Sequence, residues 1–183
     1  MKITKILISM LLLVAVFMIS GCNNTDVTKQ DKPSAVVTTN TDKPADDTLE
    51  IKVYFPNNDA SKLVAEKKKI KLKGATKYRA AMDALLAGTD DRKLTTVIPK
   101  DAKVLGVTVT GDTAKVDFNK AMVDKLSGGS TGEEMLVGSI VNTLTEFPEI
   151  KKVQIVIEGR KVETLKGHMD TSQPITRMEE LLK

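Results

Sequence analysis

The folded part of the chain announces itself by a change of period at Leu49. Leu49, Ile51, Val53 and Phe55 alternate with Glu50, Lys52 and Tyr54. A period of two predicts a half-buried strand, and Pro56 closes it. After the turn-forming Asn57-Asn58-Asp59, a second strand is predicted from about Val64 to Leu72. Val64, Ile70 and Leu72 share one of its faces, and Ala65, Lys67, Lys69 and Lys71 share the other. Thr76 then fits a helix N-cap, and Tyr78, Ala81, Met82, Leu85 and Leu86 fall on one helical face until Gly88. Leu105, Val107 and Val109 alternate into Gly111-Asp112, and Ala114, Val116 and Phe118 alternate out, the signature of a hairpin.

Thr131 followed by Glu134 matches a capping box. It opens a helix with Leu136, Val137, Ile140, Val141 and Leu144 inward, stopped by Pro148. Val153, Ile155 and Ile157 predict a further strand. Gly159-Arg160 turns the chain into a weaker one, Lys161 to Leu165, and Arg177 to Lys183 has room for one or two helical turns. The predicted order is ββαββαββ. Two helices packed on a mostly antiparallel sheet make an α+β fold of two layers. About 130 residues suffice for one core, since a domain of this size buries roughly two-thirds of its unfolded surface.

The first stretch has a different pattern. Lys2 and Lys5 precede fourteen residues, Ile6 to Ile19, that are apolar except for Ser9. As a helix they would reach about 21 Å, short of the roughly 30 Å hydrocarbon core, so they predict a signal-peptide core rather than a span. The sequence Ile19-Ser20-Gly21-Cys22 resembles the lipobox of bacterial lipoproteins. The resemblance implies cleavage before Cys22 and lipid attachment (diacylglycerol, palmitate-type acylation) to its thiol. Two acyl chains, at about 0.8 kcal/mol per buried CH₂, give a stable anchor. Cleavage would leave 26 Lys and Arg against 24 Asp and Glu, a side-chain charge of +2.

Between Asn23 and Thr48 only Val27, Ala35, Val36, Val37 and Ala45 are apolar. Such a composition cannot offset the entropy of ordering it and predicts a tether with an r.m.s. span of about 30 Å. The expected organisation is therefore a leader at 1–21, a lipidated Cys and disordered tether at 22–48, a folded domain at 49–177 and a short tail at 178–183. The expected location is the extracytoplasmic face of the cell membrane.

Composition removes most chemistries. Of 183 residues, one is Cys, one is His and none is Trp. That excludes a disulfide framework, a Cys-rich zinc site and a multi-histidine centre, so no metal or other cofactor is expected. The net charge of +4, only 3% aromatic residues and the external location disfavour nucleic acid.

Several motifs carry a resemblance to a known family. Val141-Asn142-Thr143-Leu144-Thr145-Glu146-Phe147-Pro148 followed by Lys152-Val153-Gln154-Ile155 resembles the GerMN domain of sporulation and spore germination. Val53-Tyr54-Phe55-Pro56, Ala84-Leu85-Leu86-Ala87-Gly88, Ile98-Pro99, Gly111-Asp112 with Val116-Asp117-Phe118, and Gly167-His168-Met169-Asp170 fall in the family's order. The resemblance covers about Leu49 to Arg177. It departs at Thr89, where members often carry Pro, and in copy number, since some sporulation members hold two domains in tandem. It implies a fold similar to the ring-building domains of sporulation channels, no carried-over catalytic residues, and a role in envelope assembly. Copies in bacteria that do not sporulate mean that the domain alone does not fix the process.

Four local features invite chemistry. His168 with Asp170 and Ser172 has the residue types of a nucleophile and base, but triad members must converge in space and one short stretch gives no such geometry. Glu133 and Glu134 are expected in a helix first turn, where they complement the macrodipole. Ser127-Gly128-Gly129-Ser130-Thr131-Gly132 lacks the Lys-Ser/Thr ending of a phosphate loop and is expected to be a mobile connection with docking potential through Gly128 and Gly129. Lys67, Lys69 and Lys71, in the densest charge run of the chain, are expected to guard an edge strand and could meet an anionic surface. The sequence thus predicts a membrane-anchored, non-enzymatic interaction or assembly module with an envelope protein or a second copy as partner. The alternative it leaves open is a binder of wall polymer or of a small envelope ligand.

Overall fold

The computed structural model describes residues 47–183. The expected leader, Cys22 and the expected tether as far as residue 46 lie outside the described residues. Within them the elements are β1 (Thr48–Pro56), β2 (Leu63–Lys71), α1 (Lys77–Leu86), β3 (Val104–Thr110), β4 (Thr113–Phe118), α2 (Ala121–Asp124), α3 (Gly129–Leu144), β5 (Lys152–Ile157), β6 (Arg160–Lys161) and β7 (Ile175–Thr176), with a final 3-10 turn at Glu179–Leu182. The α+β class and the dominance of antiparallel pairing match the sequence pattern. The strands divide between two sheets. β1 and β2 form a two-stranded antiparallel ribbon, and β3-β4-β5-β6 form a second sheet in which β7 also pairs with β5. β4 and β5 run parallel, because α2 and α3 intervene and carry the chain back across the sheet.

The local signals explain most element ends. Thr76 Oγ1 accepts the backbone N–H of Arg79 at 3.2 Å, as the cap reading requires. Gly111-Asp112 makes the two-residue loop between Thr110 and Thr113. Ile51, Val53 and Phe55 of β1, Met82 and Leu85 of α1, Val116 and Phe118 of β4, and Val153 and Ile155 of β5 meet around α3 in one core. Each of the larger of these side chains contributes about 1.5–3 kcal/mol by its burial.

Three local features depart from expectation, for one physical reason each. α3 is not a one-faced helix: Glu133, Ser139, Asn142 and Thr143 are as buried as Leu136 and Ile140, because the β1–β2 ribbon and the C-terminal segment cover its far side. The strand expected from Lys161 to Leu165 stops at Lys161, since the N–H groups of Leu165 and Lys166 turn to Glu133 instead of a strand neighbour. Finally, α3 starts at Gly129 with Gly128 as its cap and no side-chain capping bond, so Thr131 and Glu134 make no capping box. Residues 178–183 are not merely appended: Met178 and Leu181 are buried in the core.

Candidate functional site

The β1–β2 ribbon presents the strongest exposed chemistry. Its register pairs Glu50 with Lys69, Lys52 with Lys67 and Thr48 with Lys71 across the strands. Because residues directly opposite share a face, Lys52, Lys67, Lys69 and Lys71 stand together on the solvent side with one acid, Glu50. Lys67 is 74% exposed, and its only ion pair among the described residues is a loose 3.8 Å contact to Glu50. The face predicted from the alternation is therefore correct for all three lysines. On the opposite side Lys68 turns under the ribbon, lies 5.2 Å over the Phe55 ring and donates to the Gly88 carbonyl at 2.6 Å.

The glycine-rich segment is a tight turn, not the loose connection its composition suggested. Gly128 has φ of 97° and Gly129 has φ of 59°, values that favour glycine. A Cβ on Gly132 would sit 2.3 Å from the Ser127 carbonyl oxygen, so the helix start packs against the turn that feeds it. Gly128 and Gly129 thus shape the entry to α3.

Glu133 and Glu134 are likewise corrected. Glu133 lies beyond the first turn and is fully buried, while Glu134 is exposed. One Glu133 oxygen accepts the N–H groups of Leu165 and Lys166, both at 2.9 Å, and the other accepts that of His168 at 2.9 Å. A single carboxylate thus takes three of the four N–H groups of the 165–168 turn, and the fourth, that of Gly167, goes to Thr164 Oγ1 at 2.9 Å. Its role is structural, by a different contact from the one the sequence suggested.

The remaining member of that turn, His168, is exposed beside Ser130, Glu134 and Met169 around a shallow hollow of about 230 Å³. Asp170 points elsewhere: its Oδ1 accepts the Ser172 N–H at 2.8 Å, and the Ser172 contacts hold its carboxyl below the ordinary carboxylate range. The structure does not bring His168, Asp170 and Ser172 together as a triad. No cluster of three potential metal ligands occurs among the described residues. No described helix is long and apolar enough to cross a membrane.

A polar network that no local pattern revealed joins the ribbon to the C-terminus. The Tyr54 hydroxyl donates to Glu146 Oε1 at 2.6 Å. Arg177 Nη2 donates to the Tyr54 oxygen at 2.6 Å and to Glu146 Oε1 at 2.8 Å, and its guanidinium lies 5.1 Å from the Tyr54 ring centre. Lys52 adds a 3.3 Å contact to Glu146. Burial raises the Glu146 pKa, but Tyr54, Lys52 and Arg177 outweigh it and hold the group below its ordinary value. Burial and the Glu146 contact together push the Tyr54 hydroxyl up. The one sequence signal was Tyr54 itself, a large aromatic on the polar face of β1. Its partners lie 92 and 123 residues away.

Fold and site together define a small α+β domain whose exposed chemistry is concentrated on one lysine-lined ribbon. The chain belongs to the Germane family, described as sporulation and spore germination, whose model matches residues 52–163. That family is not known for an enzymatic activity. Among solved structures, the tandem GerMN domains of the sporulation protein GerM from Bacillus subtilis match with a TM-score of 0.60 and 24% identity, over 74% of this chain and 47% of that one. The chain therefore spans about half the length of that relative. The first GerMN domain of the same protein matches with a TM-score of 0.56 and 21% identity, over 70% of this chain and 98% of that one. A putative lipoprotein from Clostridium perfringens matches with a TM-score of 0.53 and 24% identity, over 74% of this chain and 93% of that one. At these identities the likeness is one of fold. No curated protein matches the sequence significantly.

Proposed function

We propose that this protein is a lipid-anchored, non-enzymatic interaction module of the cell envelope, serving assembly in sporulation or spore germination. The observation that carries the reading is the family match over residues 52–163, on a chain whose first 22 residues end in a lipobox. The anchor is the lipid on Cys22, and the tether lets the domain work close to the outer face of the membrane. The likeness in fold to a Clostridium perfringens putative lipoprotein supports that placement. The exposed ribbon supplies a surface for a protein partner without any reacting group.

The test is crosslinking of the full protein in its native host, sampled in growth and in starvation, with Cys22→Ala as the companion variant. Recovery of envelope-assembly proteins together with membrane release of Cys22→Ala is the expected result. A wild-type protein that fractionates as soluble would remove the anchor. Recovery of wall material alone, equally in both stages, would replace the reading with a wall-polymer binder.

A further inference from the structure

The backbone of the β1–β2 ribbon shows which of its edges is free. In an antiparallel pair, opposite residues alternate between those that exchange backbone hydrogen bonds and those that do not. Leu72 N–H donates to the Asp47 carbonyl at 2.8 Å, and Asn57 N–H donates to the Lys62 carbonyl at 3.0 Å. These bonds flank the register at both ends. They place the bonded positions of β2 at residues 64, 66, 68 and 70. The N–H and C=O groups of Ala65, Lys67, Lys69 and Lys71 consequently point away from β1. The same rule sends the groups of Tyr54 and Pro56 away from β2. There Tyr54 N–H meets Thr143 Oγ1 at 3.1 Å, and the Pro56 carbonyl accepts Thr95 N–H at 2.8 Å. The outward groups of residues 65–71 have no such partner among the described residues.

Beside this open edge lies a groove of about 560 Å³ between β2 and α1. Its apolar lining is Ile70, Leu72, Ala75, Ala80 and Ala84. A strand laid along β2 would set alternate side chains over that groove. The others would stand beside Lys67, Lys69 and Lys71. Those lysines exclude a second copy paired through the same edge, which would oppose lysine to lysine. They favour a partner whose outward residues are acidic. An anionic lipid or phosphate polymer answers the lysines, but its phosphates donate no hydrogen bonds to the edge carbonyls.

We propose that the outer edge of β2, residues 65–71, docks an extended segment of a partner protein as a third strand, with acidic residues beside Lys67, Lys69 and Lys71 alternating with small apolar residues over the α1 groove. The proposal rests on the interaction-module reading and names its surface. The lysines then serve two ends at once, barring self-association through the edge and selecting the strand that may join it.

The experiment measures binding of an acetylated, amidated Thr-Glu-Val-Glu-Val-Glu-Thr peptide to the full lipid-anchored protein in neutral-lipid vesicles. Two versions of the peptide are N-methylated, one on the glutamate amides and one on the valine amides. Only one set of amides faces β2, so one version should lose binding and the other keep it. Lys67→Ser, Lys69→Ser and Lys71→Ser combined should weaken the parent peptide at least tenfold. Equal binding of both methylated versions would reduce the lysines to a charge patch and overturn the proposal. So would absent peptide binding, or tighter lysine-dependent binding to phosphatidylglycerol vesicles than to peptide. The crosslinking test remains separate. A partner recovered equally by wild type and the triple variant removes this edge and leaves the interaction module standing, whereas no recovered partner removes the module itself.

Discussion

α3 and β2 both carry many polar residues for elements of a small domain, and they use them in opposite ways. α3 sinks its polar side chains into the interior, where three of them, Glu133, Asn142 and Thr143, take up backbone groups of other segments. Glu133 holds Leu165, Lys166 and His168, and Thr143 receives Tyr54. Asn142 exchanges two bonds with Met178, its Nδ2 donating to the carbonyl at 3.1 Å and its Oδ1 accepting the N–H at 2.9 Å. β2 does the reverse: Lys67, Lys69 and Lys71 face solvent, and its outer backbone groups meet no partner among the described residues. A polar residue therefore reports nothing about function until its partner is known. In α3 the polar groups specify the fold; in β2 they leave a surface for something else.

The comparison is broken most severely at Glu133. Glu133→Ala strands the buried N–H of Leu165 and unpairs the half-buried ones of Lys166 and His168. A buried unpartnered group costs about 1–3 kcal/mol and the other two less, so a loss of about 2–4 kcal/mol is expected in equilibrium urea unfolding. A loss below about 1 kcal/mol would mean that the 165–168 turn does not depend on that carboxylate. Asn142→Ala comes next, at about 2–3 kcal/mol, with faster amide exchange at Met178 as its local signature.

The Tyr54–Glu146–Arg177 network is a milder case. Tyr54→Phe should cost about 1 kcal/mol, since Arg177 and Glu146 retain their direct bond. Glu146 also sets an acid dependence. Its folded pKa lies below the ordinary value of 4.5, so its stabilisation is complete above that value and is lost as pH falls through the lower folded one. Unfolding curves across this range should therefore flatten in Glu146→Gln relative to wild type. The smallest effect belongs to β2. Lys67→Ser, Lys69→Ser and Lys71→Ser together should leave stability within about 0.5 kcal/mol of wild type, because the side chains contact little but water. A large loss there would show that the lysines hold the fold together and would erase the contrast with α3.

Local chemistry made much of the architecture legible. The Thr76 cap, the Gly111-Asp112 turn and the alternations of β1, β2, β4 and β5 each act over a few residues, and each appears where the pattern put it. Glu133 shows where such reading fails. Near a helix start an acid complements exposed N–H groups, and nothing nearby in sequence announces that its partners come from a turn more than thirty residues on. The glycine-rich segment failed in the same way, since composition cannot distinguish a loose connection from a turn that needs left-handed backbone.

The sequence by itself determined the periodic elements, the α+β class, the resemblance to the family and the face that carries Lys67, Lys69 and Lys71. These follow from periods of two and 3.6, from capping and from turn chemistry, all of which are local. Tertiary structure alone decided the split into two sheets, the full burial of α3, the Tyr54–Glu146–Arg177 network and the identity of the free edge. Each of those depends on which distant backbone or side chain satisfies a buried polar group, and that choice is made only when the segments meet.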